Sequence, residues 1–340
     1  MINAAIVGLG RWGRNLVNST AESTSLRFTT AHSRTRQTAE SFCREKSLSW
    51  AVDLDDILQD RAIDAVVFAT PHSQHADQVC RAAAAGKHVF VEKPFALTLA
   101  EADRMLNAAA RADSVLAVGF NRRFSPSMAR LRDAVRGGQL GSIISISAEQ
   151  TALHGLTLTG TAWRAQPGEA PGGAMTAIGV HLVDGMIDLL GPITSVFARV
   201  NRHAATYADD TTDVLLTFRS GAAGHIFCST VATPHYRMAV YGTGGFAEIL
   251  GHQMGTYRFS AALPGEAFGA AVPEVIETKG FNMLTAELEA FAASIVAGTP
   301  FPTPLADIRH GVAVFEAIVR SAESGQPETI SQRTLTRSVR

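Results

Sequence analysis

The sequence predicts two folds in one chain. A doubly wound Rossmann α/β domain with a parallel sheet comes first, and an α+β domain with a large, mostly antiparallel sheet backed by helices follows. Three observations predict this. Gly8-x-Gly10-x-x-Gly13 stands directly after an apolar strand and directly before a helical pattern. Strands and helices then alternate up to about residue 119, which implies parallel strands with right-handed crossovers. From about residue 126 the alternation gives way to period-two runs joined by short turns. The boundary is expected between a dinucleotide-binding domain, 1–122, and a substrate-binding and oligomerisation domain, 123–340.

Residues 4–7 are small and apolar, as a buried strand requires, and Asn15, Leu16 and Val17 open the helix. Gly8 permits the tight turn, and Gly10 lets the backbone approach a pyrophosphate with no Cβ in the way. Gly13 lets the helix pack close to the strand. The free N–H groups of the first helical turn then face a phosphate, which assigns Gly8, Leu9, Gly10, Arg11, Trp12 and Gly13 to cofactor binding. The second strand, at 26–31, runs into His32-Ser33-Arg34-Thr35-Arg36. An acid at this place would favour NAD. A hydroxyl with guanidinium groups favours the 2′-phosphate of NADP, with Ser33 and Arg34 as its ligands; the competing reading is a solvated basic turn.

Helical segments at 38–46 and 53–58 lead to a strand at 65–70, ended by Pro71. The next helix carries His72, Gln74 and His75 at its start and an alanine-rich face up to Gly86. Ligands of such sheets lie beyond the carboxyl ends of the strands, which adds Thr70, Pro71 and His75 to the cofactor set. The strand within 87–91 delivers Glu92 and Lys93 to the same edge, which adds both to the cofactor set, and Lys93–Pro94 is a candidate cis bond. A lysine facing a cleft beside a cationic nicotinamide has its ammonium form disfavoured, which suits it to exchange a proton. The competing reading pairs Glu92 with another cation and leaves Lys93 in solvent. A helix at 99–112, a strand at 115–119 and Phe120-Asn121-Arg122-Arg123-Phe124 close the domain.

Four segments resemble the glucose–fructose oxidoreductase / inositol dehydrogenase / rhizopine catabolism (Gfo/Idh/MocA) family: the glycine motif, Glu92-Lys93-Pro94, Gly119 to Phe124, and Trp163-Arg164 through Gly172-Gly173 to His181-Leu182-Val183-Asp184. Their order and spacing carry the resemblance over residues 3–322. It implies that Lys93 exchanges the proton of the reacting oxygen with His181 assisting, and that Asp184, Arg164 and Asn121 reach the substrate. It also implies subunit contacts through the open face of the second sheet, in a homodimer or homotetramer.

In the second domain, period-two runs at 143–148, 196–200, 214–218, 225–231, 237–241 and 246–250 predict the sheet. One helix interrupts them, at 173–190, stopped by Gly191-Pro192. Ala177, His181, Asp184 and Asp188 fall on one stripe of it. A buried histidine taken alone is more often a hydrogen-bonded core residue; the resemblance assigns it to catalysis. Many family members carry an Asp four residues before this His, where this chain has Ala177. Asn282 is expected to cap a helix to about 296. Thr303 and Pro304 are expected at the N-cap and first position of a last helix ending near 325–327. Residues 331–340 form a polar tail, expected to be disordered or to reach a neighbouring subunit.

With 46% hydrophobic and 18% charged residues among 340, the chain reads as an ordinary globular protein. A net charge of −1 gives no electrostatic reason to expect nucleic acid or an anionic membrane as partner. Three distant cysteines read as reduced thiols, and neither a signal peptide nor a membrane-length apolar run is seen, so a cytoplasmic location is expected. His72 and His75 lack further ligands at metal-binding spacing, so no metal is expected. The function expected is a hydride transfer between NADP (or NAD) and a sugar, cyclitol or related polyol or carbonyl compound. The alternative is a non-catalytic dinucleotide-binding sensor of the same fold, which Ala177 keeps open and Lys93 with His181 opposes.

Overall fold

The computed structural model describes residues 1–166, 168–265 and 271–330; the 331–340 tail lies outside them. The first sheet is parallel, with strands β1 (Ile2–Val7), β2 (Leu26–His32), β3 (Ser49–Trp50), β4 (Ala65–Phe68), β5 (His88–Val91) and β6 (Leu116–Val118) in the order 3-2-1-4-5-6. This is the doubly wound order that places a crevice where the winding reverses, between β1 and β4. Strands β4 and β6 read as unbroken apolar runs because both faces are covered. Helices α1 (Arg11–Ser19) and α2 (Arg36–Glu45) lie on one face; α3 (Leu54–Gln59), α4 (His75–Ala84) and α5 (Leu99–Arg111) lie on the other. Two capping boxes fix helix starts, Asp53 with Asp56 and Thr98 with Glu101.

After α6 (Pro126–Arg136) and β7 (Ile143–Thr151) the chain enters the second sheet. Its other strands are β8 (Ile193–Asn201), β9 (Thr211–Phe218), β10 (Ala223–Ser229), β11 (His235–Gly242), β12 (Gly245–Leu250), β13 (Thr256–Ala261), β14 (Glu274–Glu277) and β15 (Glu328–Thr329). The nine strands run 14-13-12-11-7-10-9-8-15, all neighbours antiparallel except β7 and β10. One face packs on α6, α7 (Val180–Leu190) and α9 (Leu305–Ser324); the other carries Phe197, Leu215 and Phe227, with Leu215 59% exposed. The six runs read from sequence all appear as strands. The short or edge strands β3, β13, β14 and β15 were not anticipated.

Three local expectations are refined. Asn282 caps α8 (Met283–Ala297), its side chain accepting from Leu284 and Thr285 N–H groups. Pro304 stands at the N-cap of α9, one residue earlier in the motif than expected, because the helix itself begins at Leu305. The helix expected at 173–190 is two pieces: a π turn, Met175–Gly179, feeds α7. Helix α8 lies far along the sequence but covers the α1 face of the first sheet, where Leu288, Phe291 and Ala292 join Ile6, Leu16, Phe28 and Phe90 in one core. Among the described residues no helix is long and apolar enough to cross a membrane.

Candidate active site

The glycine turn has the geometry its residues demand. Gly8 adopts φ +99°, and a Cβ there would meet the Ala69 carbonyl oxygen at 2.5 Å. A Cβ on Gly13 would lie 1.9 Å from the Gly8 carbonyl oxygen. Gly10 differs: it is the N-cap of α1, makes no side-chain cap, and a Cβ on it would meet nothing within 4 Å. The uncapped helix end therefore opens onto free space with its N–H groups and partial positive charge, which fits a dinucleotide pyrophosphate. Arg11 is exposed beside it, Leu9 is buried in the core, and Trp12 is half-buried. Ser33 is half-buried and Arg34 exposed at the end of β2.

Thr70 and Pro71 follow β4 beside this turn, and the Thr70 hydroxyl donates to Gln78 at 2.6 Å. His75, expected among the cofactor ligands, is fully buried instead. Its Nδ1 lies 3.0 Å from the Pro94 carbonyl and its Nε2 3.2 Å from the Thr70 carbonyl. It braces two loops of the cofactor edge against each other, because the helix start aims it inward under Pro94.

The Lys93–Pro94 bond is cis. Lys93 is half-buried, and its Nζ donates to the Ala177 carbonyl of the π turn at 2.8 Å, so the contact crosses from the first domain to the second. Burial lowers the Lys93 pKa, Glu92 opposes this, and Arg164 and Arg122 add to it. Glu92 is buried, its Oε2 accepting from the Lys93 N–H at 3.2 Å, and burial raises its pKa against the pull of Lys93. Neither competing sequence reading describes this fully: Glu92 and Lys93 are neighbours in one buried electrostatic cluster.

His181 stands on α7 with its ring 6.0 Å from that of Phe120, edge to face. Among the described residues its buried Nδ1 has no hydrogen-bond partner. Burial, Arg122 and Lys93 together push its pKa well below the ordinary value, so the imidazole is neutral at physiological pH. Arg164, in a turn at Trp163–Ala165, stacks over Trp163 at 4.1 Å and bears electrostatically on Lys93 and Glu92. Asn121 is buried at the head of the Asn121–Phe124 turn.

Asp184 departs from expectation. Both carboxylate oxygens accept from Arg123, at 2.8 to 3.0 Å, and both partners are buried, so the group expected to take substrate hydroxyls is spent on an ion pair. Asp188 accepts from Arg132 at 2.6 Å, and Arg123 also reaches Asp307 at 3.2 Å. The stripe read on the helix is thus divided: His181 faces Lys93, whereas Asp184 and Asp188 tie α7 to its neighbours.

Sequence reasoning left Arg122 and His154 out of the site. Arg122 lies 4.7 Å above the Tyr236 ring, and His154 is held down to about 4 by burial, Arg164 and Lys93. Arg122 stood beside a flagged Asn121, whereas nothing local marked His154. Across the cleft, Glu169 accepts from the Ser73 backbone at 3.1 Å and from its hydroxyl, and its carbonyl lies 2.6 Å from His72 Nδ1. These contacts pin the loop bearing Trp163 and Arg164 onto the first domain. Among the described residues no cluster of three or more His, Cys, Asp or Glu could hold a metal ion.

Residues 2–120 match the model of an oxidoreductase family with an NAD-binding Rossmann fold, and residues 128–248 match the GFO/IDH/MocA C-terminal domain. The NAD+-dependent scyllo-inositol 2-dehydrogenase of Bacillus subtilis is 30% identical over 96% of this chain and 95% of its own. The chain belongs to the Gfo/Idh/MocA oxidoreductases. The architecture of this family is also seen in levoglucosan dehydrogenase bound to NADH and L-sorbose, with a TM-score of 0.89, 22% identity, and coverage of 97% of this chain and 99% of that one. The aldose-aldose oxidoreductase of Caulobacter crescentus, complexed with glycerol, gives 0.85 at 25% identity, covering 96% and 99%. As a Gfo/Idh/MocA protein the chain is an NAD(P)-dependent oxidoreductase whose first domain is the NAD-binding one.

Proposed function

We propose that the chain oxidises or reduces a sugar, cyclitol or related polyol or carbonyl compound, that NADP(H) is its preferred cofactor, and that Lys93 exchanges the proton of the reacting oxygen. The observation that carries this is the Lys93 ammonium group on the Ala177 carbonyl, on the π turn that leads into His181, in a cleft between the two domains. A nicotinamide dinucleotide, when bound, supplies the hydride acceptor or donor. Gly8, Gly10 and Gly13 with the α1 terminus hold its pyrophosphate, and Ser33 with Arg34 take the 2′-phosphate. Lys93, its ammonium form disfavoured by burial, takes up the hydroxyl proton in oxidation and returns it in reduction. Neutral His181 orients the reacting oxygen by a hydrogen bond, and Arg164 and Asn121 hold further substrate oxygens. Residues 1–122 serve the cofactor, while 123–340 serve the substrate and a homodimer or homotetramer contact through the outer sheet face. The relatives named for inositol and sugar oxidation support this substrate class. Reduced-nicotinamide absorbance, followed with NADP+ and NAD+ over a panel of polyols, aldoses and inositols, tests the reading; no turnover on any of them in either direction would refute it.

A further inference from the structure

Behind the cleft, under α8, lies a carboxyl group that no step above uses. Glu287 is fully buried, and neither of its oxygens has a hydrogen-bond partner among the described residues. Register places it. Phe90 and Glu92 are two residues apart on an extended run, still in the ladder through Glu92 N–H to Phe68 O at 2.9 Å, so they share a face. Glu287 and Phe291 are one helical turn apart on α8 and share a stripe. Phe90 and Phe291 meet edge-on with ring centroids 5.8 Å apart, which brings the next pair, Glu92 and Glu287, together. Glu92 Oε1 is also buried without a partner among the described residues, with the Trp12 indole N–H beside the carboxyl.

Of the charges near α8, Glu92 is the one that bears on Glu287. Arg14 of α1 donates to the Leu9 and Thr38 carbonyls, and Arg11 is exposed. Arg27 of β2 donates to Asn3. In the Asn121–Phe124 turn, Arg123 is paired with Asp184 and Arg122 lies over Tyr236. Glu289 of α8 accepts from Ser23. Lys93 and Arg164 bear on Glu92, and Glu92 is the charge that bears on Glu287. Two adjacent buried carboxyl groups with three unpartnered oxygens are poorly served by two negative charges, whereas one shared proton supplies the missing donor.

We infer that Glu287 is held as a neutral carboxylic acid donating to Glu92, and that it is a positioning residue which keeps Glu92 an anion beside Lys93. The second half rests on Lys93 as the proton-exchanging group; the first half does not. The pair carries one proton and one negative charge throughout turnover, so no bond in it need break. Burial and Glu92 both raise the Glu287 pKa well above the ordinary carboxyl value. A raised folded-state pKa gives stability that is complete below the unfolded pKa of about 4.3 and is lost as pH rises toward the folded value. Glu287→Gln has no such loss. The ratio of its folding constant to that of the unaltered protein, from urea denaturation at about pH 5 and upward, should therefore rise with pH, by up to roughly tenfold per pH unit. A ratio independent of pH would overturn the neutral acid, whatever the enzyme turns over. For the positioning role, the readout is kcat/KM against pH. Glu287→Gln still donates to Glu92 and should leave the Lys93 ionisation in place. Glu287→Leu removes the donor, Glu92 takes up a proton, and the Lys93 ionisation should move to lower pH. Equal behaviour of the two variants would overturn the positioning role, and retained turnover in Lys93→Met would instead remove the proton-exchange reading and leave the stability result standing.

Discussion

Lys93 and Ser33 show how far single side chains carry the chemistry. Lys93 is aimed at a backbone carbonyl of the second domain. Lys93→Met should leave the cofactor Kd within a few-fold and lower kcat by ~10²-fold or more, as loss of a positioned acid–base group does. Near-normal kcat would make Lys93 structural. Ser33 ends β2 with Arg34 exposed next to it. Ser33→Asp would set a carboxylate against the 2′-phosphate and should reverse the preference for NADP(H), measured as the ratio of the two dissociation constants. Equal constants in the unaltered protein would refute the preference. Residue types at motif positions were legible here because backbone sterics admit few alternatives: a Cβ at Gly8 or Gly13 collides with backbone. The roles of His75 and Asp184 were not legible, since both depend on partners 19 and 61 residues away, Pro94 and Arg123.

At the scale of elements, the π turn decides what α7 presents to the cleft. Periodicity alone reads 173–190 as one helix, because the apolar pattern survives the insertion of a wider turn; the widening is a backbone event that side-chain spacing does not record. The same sequence periodicity made the strands β7 to β12 visible and hid β14 and β15, which are short and lie at the sheet's edges. In the π turn Ala177 is half-buried and stands four residues before His181. Ala177→Asp should place a carboxylate beside Lys93, raise its pKa and move the ionisation in kcat/KM to higher pH. The same acid should lift the pKa of His181 and add a second ionisation. Where the side chain does not fit, the buried charge should cost several kcal/mol in urea denaturation, on the order of 3–5. A fully stable Ala177→Asp with an unmoved pH profile would show that Lys93 does not sense this turn.

For the molecule as a whole, the outer face of the second sheet is the surface that composition could not assign. Phe197, Leu215 and Phe227 lie on it at cross-strand positions, Phe197 opposite Leu215. Leu215→Glu should dissociate the assembly at micromolar concentration without unfolding the subunit, read as a fall in mass by light scattering on a sizing column. A monomeric unaltered protein would refute the interface.

Helix α8 has a consequence for how this protein is made. The face of the first sheet that it covers is complete in sequence by Val118, yet Leu288, Phe291, Ala292 and Phe301 are translated last among its partners. At roughly 5–20 residues per second, the part of that apolar face which α1 and α2 leave uncovered stays open for on the order of ten seconds or more on the ribosome. Any nascent chain halted between the two domains would carry a finished parallel sheet with part of one side uncovered. The interval is one in which chaperones have a defined surface to hold, and in which overproduction would send the chain toward inclusion bodies.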